Sequence, residues 1–431
     1  MRDSTFSKTE LISQNRVKIL NKMFRIAVTI ALVIGFVGLI DRIANGHHNA
    51  NYGSYIPWGL WVAGYIYLIG LSAGAFMMSA LVFVFRIKAF ERIGKLALLV
   101  ALATLIGAML SIWMDVGHMG RIYRMIFNTN FGSVMGWMAW LYGLYFILLS
   151  IEFWIAVRPD LVAWMQKEGI KGKLARFLTF GKTNISDEKI QKDKKTLRIL
   201  GSIGIPLAIA FHGSVGAIFG AVGARPYWNS GLTPIIFLVG ALLSGGALLA
   251  FVVYLWGPER RSRENSEIVF LIGRIVLALL ALDVLLEYAE ITIGLWSSVP
   301  SESESLKLIL FGDYWGVFWF VHIGLGIVIP ALLLIFKSRT PRFVALAGFL
   351  IAVTFISVRL NIVIPGLAIP ELEGLRDAFT GPGLTFSYFP SLMEWLVFIF
   401  NCAVAASIFI LGRIYLPVAV VRNNEMETNH E

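Results

Sequence analysis

Ten long apolar stretches separated by short polar segments constrain what this chain can fold into. A helix needs about 20 mostly apolar residues to cross a bilayer, and the backbone in lipid must satisfy its own hydrogen bonds. Because only 15% of the 431 residues are charged and 57% are hydrophobic, the composition is not that of a soluble domain. The sequence predicts an all-α polytopic membrane protein of about ten helices, spanning 23–41, 58–85, 94–116, 133–157, 197–219, 232–256, 268–296, 315–336, 342–360 and 391–416.

The lysines and arginines lie mostly on one side of these spans. With the amino terminus inside, the inner segments hold 30 of the 37 and the outer segments hold 7. Cytoplasmic loops of membrane proteins carry this excess, so the net charge of +10 is explained by orientation without nucleic acid. We therefore predict a cytoplasmic amino-terminal segment (1–22), a transmembrane domain (23–416) and a cytoplasmic tail (417–431). Within the basic cytoplasmic loop 158–196, residues 167–182 are predicted to lie as a basic helix on the anionic leaflet.

The chain contains one cysteine, Cys402. A single thiol cannot supply the ligands of an iron–sulfur cluster, a cysteine-based zinc site or a covalent haem attachment. Any redox metal is therefore expected on a partner, or as a haem held by histidines.

Polar and ionisable residues collect in the outer halves of the predicted spans, whereas the inner halves are predicted to be almost purely apolar. Such residues are costly in lipid and tend to mark function. Their outer positions predict a one-sided pocket open to the outer leaflet. They are Trp58, Trp61, Tyr65, Asp115, His118, Arg121, His212, Asp283, Glu287, Glu290, His322, Arg359, Asn361 and Glu394.

A pocket of this kind suits a lipid-soluble substrate with a protonatable head, and a quinone fits. Its two ring oxygens need hydrogen-bond partners, its protons need acceptors, and its ring needs aromatic walls such as Trp58. We expect His118 or His212 to bind one ring oxygen, Asp115 to orient the substrate or accept a proton, and Arg121 to tune that acid.

Three acids of the seventh span are predicted to form a proton path. Asp283, Glu287 and Glu290 follow at i, i+4 and i+7, which places them on one helix face. His322 in the next span is a further candidate for this path.

Structural roles are open for several of these residues. Asp115 with Arg121, and Glu287 with Arg359, are candidate ion pairs that only join helices. Trp58 also fits an interfacial aromatic belt. The small-residue runs 70–75 and 216–224 are predicted to pack helices closely, and His47, His48 and His430 are expected to be solvated.

Several motifs in this order resemble the NrfD-like family, the membrane subunits of polysulfide reductase and related complexes. The ten spans and the His-x-Ser…Pro-x-Trp segment are most similar to its long branch, which includes the cytochrome-b-type subunit of hydrogenase 2 and sulfate-reducer transmembrane complex subunits. The motifs are IPWGLWVAGYIYLIGLSAGAF (56–76), DVGHMGR (115–121), SVMGWMAWLYG (133–143), HGSVGAIFGAVGARPYW (212–228), RLNIVIPG (359–366) and YFPSLMEW (388–395).

The resemblance implies a haem-free and metal-free chain in the cytoplasmic membrane of a prokaryote, with a core of two four-helix bundles. Such proteins exchange electrons between menaquinone or ubiquinone and a four-cluster ferredoxin-like iron–sulfur subunit on the outer, periplasmic face. A molybdopterin enzyme, a hydrogenase or a multihaem cytochrome c lies beyond it, so the chain alone would not act on the terminal substrate. The residues that fall in the matching motifs are Tyr65, Asp115, His118, Arg121, His212, Ser214, Arg359 and Asn361. His322 departs from the family pattern, which tends to have glutamate there.

Three alternatives remain at this point. His212 and His322 could ligate one haem of a b-type cytochrome. The Asp283–Glu290 face could line an ion or solute transporter, and the chain could be a membrane anchor whose pocket is vestigial.

Overall fold

Ten helices in the computed structural model are long and apolar enough to cross a membrane. The structure describes residues 8–182, 186–260, 262–379 and 381–418, and these ranges contain helices and loops without a strand. The all-α class and the number of spans are therefore confirmed. The helices are α1 (Lys8–Asn45), α2 (Leu60–Phe83), α3 (Gly94–Asp115), α4 (Val134–Trp164), α5 (Asp187–Gly220), α6 (Thr233–Trp256), α7 (Arg263–Leu295), α8 (Val317–Phe336), α9 (Pro341–Val363) and α10 (Leu392–Tyr415).

Parts of the predicted end segments lie outside the described residues. This applies to 1–7 of the amino-terminal segment, to 419–431 of the tail with His430, and to 183–185 of the basic loop.

Successive spanning helices run in opposite directions, so the start of α1 and the end of α10 share one face. We call it the terminal face and the opposite one the distal face. At the distal face, Arg42 near the end of α1 donates hydrogen bonds to the carbonyls of Met114 and Val116 at the end of α3. At the terminal face, the Trp256 indole donates to Asn21 Oδ1.

The helices pack as two four-helix bundles, as the family resemblance implies. Helices α2, α3, α4 and α5 form the first bundle, and α6, α7, α8 and α9 form the second. The bundles meet mainly where α2 and α5 contact α6, and where α2 contacts α9. The remaining pair, α1 and α10, packs against α3 and α2.

The contact between α2 and α6 depends on glycine. A Cβ atom on Gly74 would lie 2.2 Å from the Ala241 carbonyl oxygen, and one on Gly245 would lie 2.6 Å from Gly74 Cα. A Cβ atom on Gly216 of α5 would likewise lie 2.6 Å from Pro234 Cα of α6. Both small-residue runs therefore pack helices as predicted, because only a missing side chain permits this separation.

Helices α4 and α5 extend beyond the apolar windows that predicted them, as does α1, which begins at Lys8. Helix α4 continues past 157 to Trp164, and α5 begins at Asp187, capped by Ser186, instead of near 197. Ion pairs between Arg158 and Asp193, and between Lys95 and Asp160, hold these polar turns together. The hydropathy windows were wrong here because they end where polar residues begin, whereas the helices do not.

Short helices cover both faces. On the terminal face, the basic loop contains the helix Ile170–Leu178, which agrees with the predicted basic helix. On the distal face, Pro300–Leu310, Pro365–Ala368 and Leu375–Ala378 lie in the loops after α7 and α9.

Helix α8 has an uncommon backbone. Residues Val317–Val328 are π-helical, and the Ile329 N–H donates to the Gly324 carbonyl five residues earlier. The helix becomes α-helical from Ile329 to Phe336. Such wide turns occur often at functional sites, and this one carries His322.

Candidate functional site

Buried and half-buried polar side chains gather in two clusters in the part of the chain that the structure describes. The Asp115 cluster lies at the distal ends of α1, α2, α3 and α10. It consists of Arg42, His47, Tyr52, Tyr65, Asp115, Tyr388 and Glu394. The Asp283 cluster lies where α5 and the second bundle meet. It consists of His212, Tyr227, Asp283, Glu287, Glu290, His322, Arg359 and Asn361.

Arg42 is the cation of the Asp115 cluster and is only 3% exposed. Its Nε donates to the Met114 carbonyl at 2.7 Å, and Nη2 donates to the Val116 carbonyl at 2.9 Å. Nη2 also lies 2.7 Å from His47 Nε2. Since a guanidinium can only donate, His47 Nε2 accepts, and the ring is neutral with its Nδ1–H directed at the Tyr52 hydroxyl. Burial, and then the charge of Arg42, lower the pKa of His47.

Glu394 is a carboxylate whose hydrogen-bonding capacity is largely used. Tyr388 donates its hydroxyl hydrogen to Oε1 at 2.6 Å, while the N–H groups of Asn51 and Ser391 donate to Oε2 at 3.0 and 2.9 Å. Ser391 in turn caps α10 by accepting from the Glu394 N–H. Glu394 therefore joins the loop before α2 to the start of α10, which is a structural role.

Asp115 and Tyr65 differ from Glu394 because their polar atoms make no side-chain hydrogen bond within the described ranges. Asp115 interacts electrostatically with Arg42, Glu394 and Tyr65. Tyr65 is 8% exposed and also interacts with Tyr142 of α4. An acid and a phenol at the distal end of the first bundle thus influence each other electrostatically, and neither has a side-chain hydrogen-bond partner among the described residues.

His118 and Arg121 lie on the exposed distal rim rather than in either cluster. The loop that carries them is held by the Trp113 indole, which donates to the Met119 carbonyl at 3.0 Å. No ion pair joins Asp115 to Arg121 in the described structure, and Arg42 is the guanidinium beside that acid. The roles predicted for His118 and Arg121 stay predictions.

Trp58 belongs to an aromatic group with Phe219 and Trp228. Its ring stacks on Trp228 with centroids 5.6 Å apart and meets Phe219 edge-on at the same distance. The Trp228 indole donates to the Ile362 carbonyl at 2.7 Å. Trp58, which directly precedes α2, therefore packs against the end of α5 and the loop that leads into α6.

The three acids of α7 meet α8 and α9 in the Asp283 cluster. Glu287 Oε2 lies 3.3 Å from His322 Nε2, across the π-helical turn. Asp283 is 7% exposed and interacts with Glu287, Arg359 and His322. The structure thus gathers the predicted proton path, but Glu287 pairs with His322 and not with Arg359.

Arg359 and His212 are buried with polar atoms unpaired. Arg359 is 1% exposed, its guanidinium lies 4.5 Å from the Phe237 ring centroid, and Nε and Nη1 have no hydrogen-bond partner among the described residues. His212 is fully buried, and neither ring nitrogen is hydrogen-bonded there. Arg359 acts electrostatically on His212, so the two residues link α5 to α9.

The two histidines of the haem alternative have opposite surroundings: a cation next to His212, and carboxylates next to His322. No group of three or more His, Cys, Asp or Glu within the described ranges could hold a metal ion.

Ser214 and Asn361 were also predicted to belong to the site. The Ser214 hydroxyl donates to the Ala210 carbonyl of its own helix at 2.7 Å. Asn361 is 7% exposed with Nδ2 unpaired among the described residues, and its carbonyl accepts from the Tyr227 hydroxyl at 3.0 Å. Burial, and then Glu290 and Glu287, raise the pKa of Tyr227.

Sequence reasoning missed several polar residues. His47, expected to be solvated, is bonded to Arg42, whereas His48 is exposed. Arg42 was detectable, because it is one of few basic residues on the distal side and directly follows an apolar span. The terminal half of the first bundle is also not purely apolar: Glu152 of α4 is 2% exposed.

Comparisons with known proteins agree with this architecture. The family described as "Polysulphide reductase, NrfD" matches residues 48–371. A selenate reductase subunit of Mesobacillus selenatarsenatis is 36% identical, over 87% of this chain and 89% of that protein. The Hdr-like menaquinol oxidoreductase integral membrane subunit of Archaeoglobus fulgidus is 29% identical over 83% and 84%. The menaquinone reductase integral membrane subunit of Nitratidesulfovibrio vulgaris is 23% identical over 84% of both. The chain belongs to the NrfD polysulphide reductase family of membrane subunits.

Proposed function

We propose that this chain is the quinone-binding membrane subunit of a respiratory oxidoreductase complex. It exchanges electrons between menaquinone or ubiquinone near the distal face and an iron–sulfur subunit docked on that face. Two relatives are named as menaquinol or menaquinone oxidoreductase subunits, and a third as a subunit of selenate reductase. Their names support a quinone-linked redox complex as the setting for this chain.

The observation that carries the proposal is the unbonded pair of Asp115 and Tyr65. Quinol oxidation removes two electrons and two protons from the ring hydroxyls. Tyr65 can donate a hydrogen bond to one ring oxygen, and Asp115 can accept the proton of a ring hydroxyl. Arg42 lies close enough to stabilise the Asp115 carboxylate, a role that the sequence suggested for Arg121.

The finer parts of the predicted site belong to the same proposal. His118 and Arg121 would stand at the distal mouth through which the partner approaches. His212, Arg359 and Asn361, with Ser214 nearby, lead from the first bundle to Asp283, Glu287, Glu290 and His322. This second group would store or move protons during turnover, because Glu287 contacts His322 and acts electrostatically on Asp283.

The orientation and the membrane are proposed from charge. The terminal face carries the excess of lysine and arginine, so it would face the cytoplasm of a prokaryotic cell. The distal face would then be periplasmic, with a ferredoxin-like subunit and its molybdopterin, hydrogenase or multihaem partner.

The test is quinol-dependent electron transfer by the purified complex with Asp115→Asn. Asparagine keeps the shape of the side chain but cannot take a proton, so we expect the rate to fall by about 10²-fold or more, the scale of general-base catalysis. Asp41→Asn is the matched control, since Asp41 bonds only Asn45 and Asn49 on the same face.

Other outcomes point to the alternatives. Full activity of Asp115→Asn would remove the assignment of the acid. A b-type band in the reduced-minus-oxidised spectrum of the isolated chain would favour the cytochrome alternative. Solute or proton movement by the isolated chain without quinone would favour the transporter.

A further inference from the structure

Glu152 is a buried acid that takes no part in the proposed quinone site. It lies in the terminal half of α4, is 2% exposed, and its Oε1 has no hydrogen-bond partner among the described residues. It faces α5 at Gly201, where a Cβ atom would lie 3.7 Å from Oε1. A carboxyl group in such a position is costly to keep in a membrane protein and marks a functional site by default.

Two buried tyrosines lie between Glu152 and the Asp115 cluster. Tyr142 and Tyr145 are 4% and 0% exposed, and neither hydroxyl is hydrogen-bonded within the described ranges. Tyr145 precedes Glu152 at i−7, which places these two on one face of α4, and Tyr142 lies about one turn before Tyr145. Phe211 of α5 packs against both rings.

These groups follow one another in space from the distal site inward. Asp115 interacts electrostatically with Tyr65, Tyr65 with Tyr142, and Tyr145 with Glu152. Ser72 of α2 lies beside Tyr145, and its hydroxyl donates to the Ala101 carbonyl at 2.8 Å. Hydroxyl groups in this order can relay a proton when water bridges the longer steps.

Beyond Glu152 the first bundle ends in a polar layer. Further along α4, Arg158 pairs with Asp193 of α5, and Asp160 pairs with Lys95 of α3. At 1.5 Å per residue these groups begin about 9 Å from Glu152 along the helix axis. Glu152 therefore stands within two turns of this polar layer, in the terminal half of the bundle.

Among the described residues of the second bundle, no buried acid lies on this side. Its buried acids stop at Asp283, and the next ionisable residue of α7 toward the terminal face is Arg274, which is exposed. A proton path from the distal clusters to the terminal face would therefore run through the first bundle, where Glu152 is the buried titratable group.

We propose that Glu152 carries protons between the Asp115 site and the terminal face, through Tyr142 and Tyr145. The inference rests on the proposed quinone function. Reduction of one quinone consumes two electrons, supplied from the distal face by the iron–sulfur partner, and two protons, of which Glu152 delivers at least one from the terminal side. Quinol oxidation reverses each transfer. Glu152 itself is only protonated and deprotonated, and the net result is charge moved across the membrane.

The test uses the whole complex in liposomes with a quinone pool and a trapped pH dye, recording electrons and protons together. For Glu152→Gln we expect the number of protons crossing per electron to fall by about tenfold or more, because glutamine cannot titrate. Glu152→Asp should restore part of it. Glu168→Gln, an exposed glutamate at the terminal face, is the matched control.

Each other outcome decides the question. A wild-type ratio in Glu152→Gln overturns the inference, and so does electron transfer by the wild-type complex that moves no proton across the membrane. Absence of any quinone-dependent electron transfer instead contradicts the proposed function. If Glu152→Gln does not assemble, Tyr145→Phe, which removes a hydroxyl of the path, decides, and a wild-type ratio in that variant rejects the path.

Discussion

Asp115 and Glu394 are two carboxyl groups of one cluster with different roles. Glu394 accepts three hydrogen bonds and joins the start of α10 to the loop before α2. Asp115 is influenced by Arg42 and by Glu394 itself, and accepts no side-chain hydrogen bond in the described structure. The hydrogen bonds of Glu394 fix the geometry of the cluster. The Asp115 carboxyl keeps its acceptor capacity, which a substrate can use.

His47 makes the stability of the distal face depend on pH. Burial and Arg42 lower its pKa in the folded protein, whereas the ring titrates near its ordinary pKa of about 6.5 in the unfolded chain. Protonation therefore favours the unfolded chain, and the stabilisation is complete above about pH 6.5 and lost as the pH falls below it. We expect the thermal midpoint of wild-type protein in detergent to fall more between about pH 8 and about pH 5.5 than that of His47→Gln.

His48→Gln is the control for this measurement, because His48 is the exposed neighbour. Equal pH dependence of wild type and His47→Gln would contradict the assignment.

At the scale of elements, the crossing of α2 and α6 is set by backbone contact. Gly74→Val would place side-chain atoms where the Ala241 carbonyl and Gly245 stand. Overpacking typically costs about 1–3 kcal/mol, so we expect a lower thermal midpoint and less assembled protein. Gly143→Val in α4, where a Cβ atom meets nothing within 4 Å, should leave both close to wild type. The measurement is size-exclusion chromatography with thermal scanning, and an unaltered Gly74→Val would show that the helices can separate.

The lengths of the elements also decide which residues are buried. Asp160 lies beyond the predicted end near 157, yet it is buried, because α4 continues to Trp164 and Lys95 of α3 pairs with it. Arg158 likewise pairs with Asp193 of α5. The hydropathy signal could not reveal this, since it measures the apolar window and not the partners of the polar turn.

At the scale of the whole molecule, the two clusters lie toward the distal face and the basic loops on the terminal face. Positive charge near the cytoplasm sets membrane orientation, so we expect Ser298→Cys to react with a membrane-impermeant maleimide in intact cells. Lys182→Cys should react only after the membrane is opened. Both substitutions would be made in a Cys402→Ser background, which removes the chain's one thiol. Labelling of Lys182→Cys in intact cells would reverse the orientation and move the proposed partner to the other side.

Much of the fold was predictable, and less of the site. Apolar length predicted ten helices, and the residues singled out in α5, α7, α8 and α9 do meet in one cluster. The interaction partners were harder to predict, because Arg42 is remote in sequence from Asp115, and His322 is remote from Glu287. Electrostatic neighbours depend on helix rotation and crossing, which a one-dimensional pattern does not contain.

The sequence by itself determined that the chain crosses the membrane ten times, with its polar groups mostly toward one side, because hydrophobic length and charge bias are properties of composition along the chain. Only the tertiary structure decided which of those groups already have hydrogen-bond or ion-pair partners. Glu394 is bonded and Asp115 is open, Glu287 holds His322, and Glu152 is buried beside two tyrosines. These distinctions follow from distances of a few ångströms between helices. Those distances decide whether a carboxyl group is held in structural hydrogen bonds or is free to accept a proton.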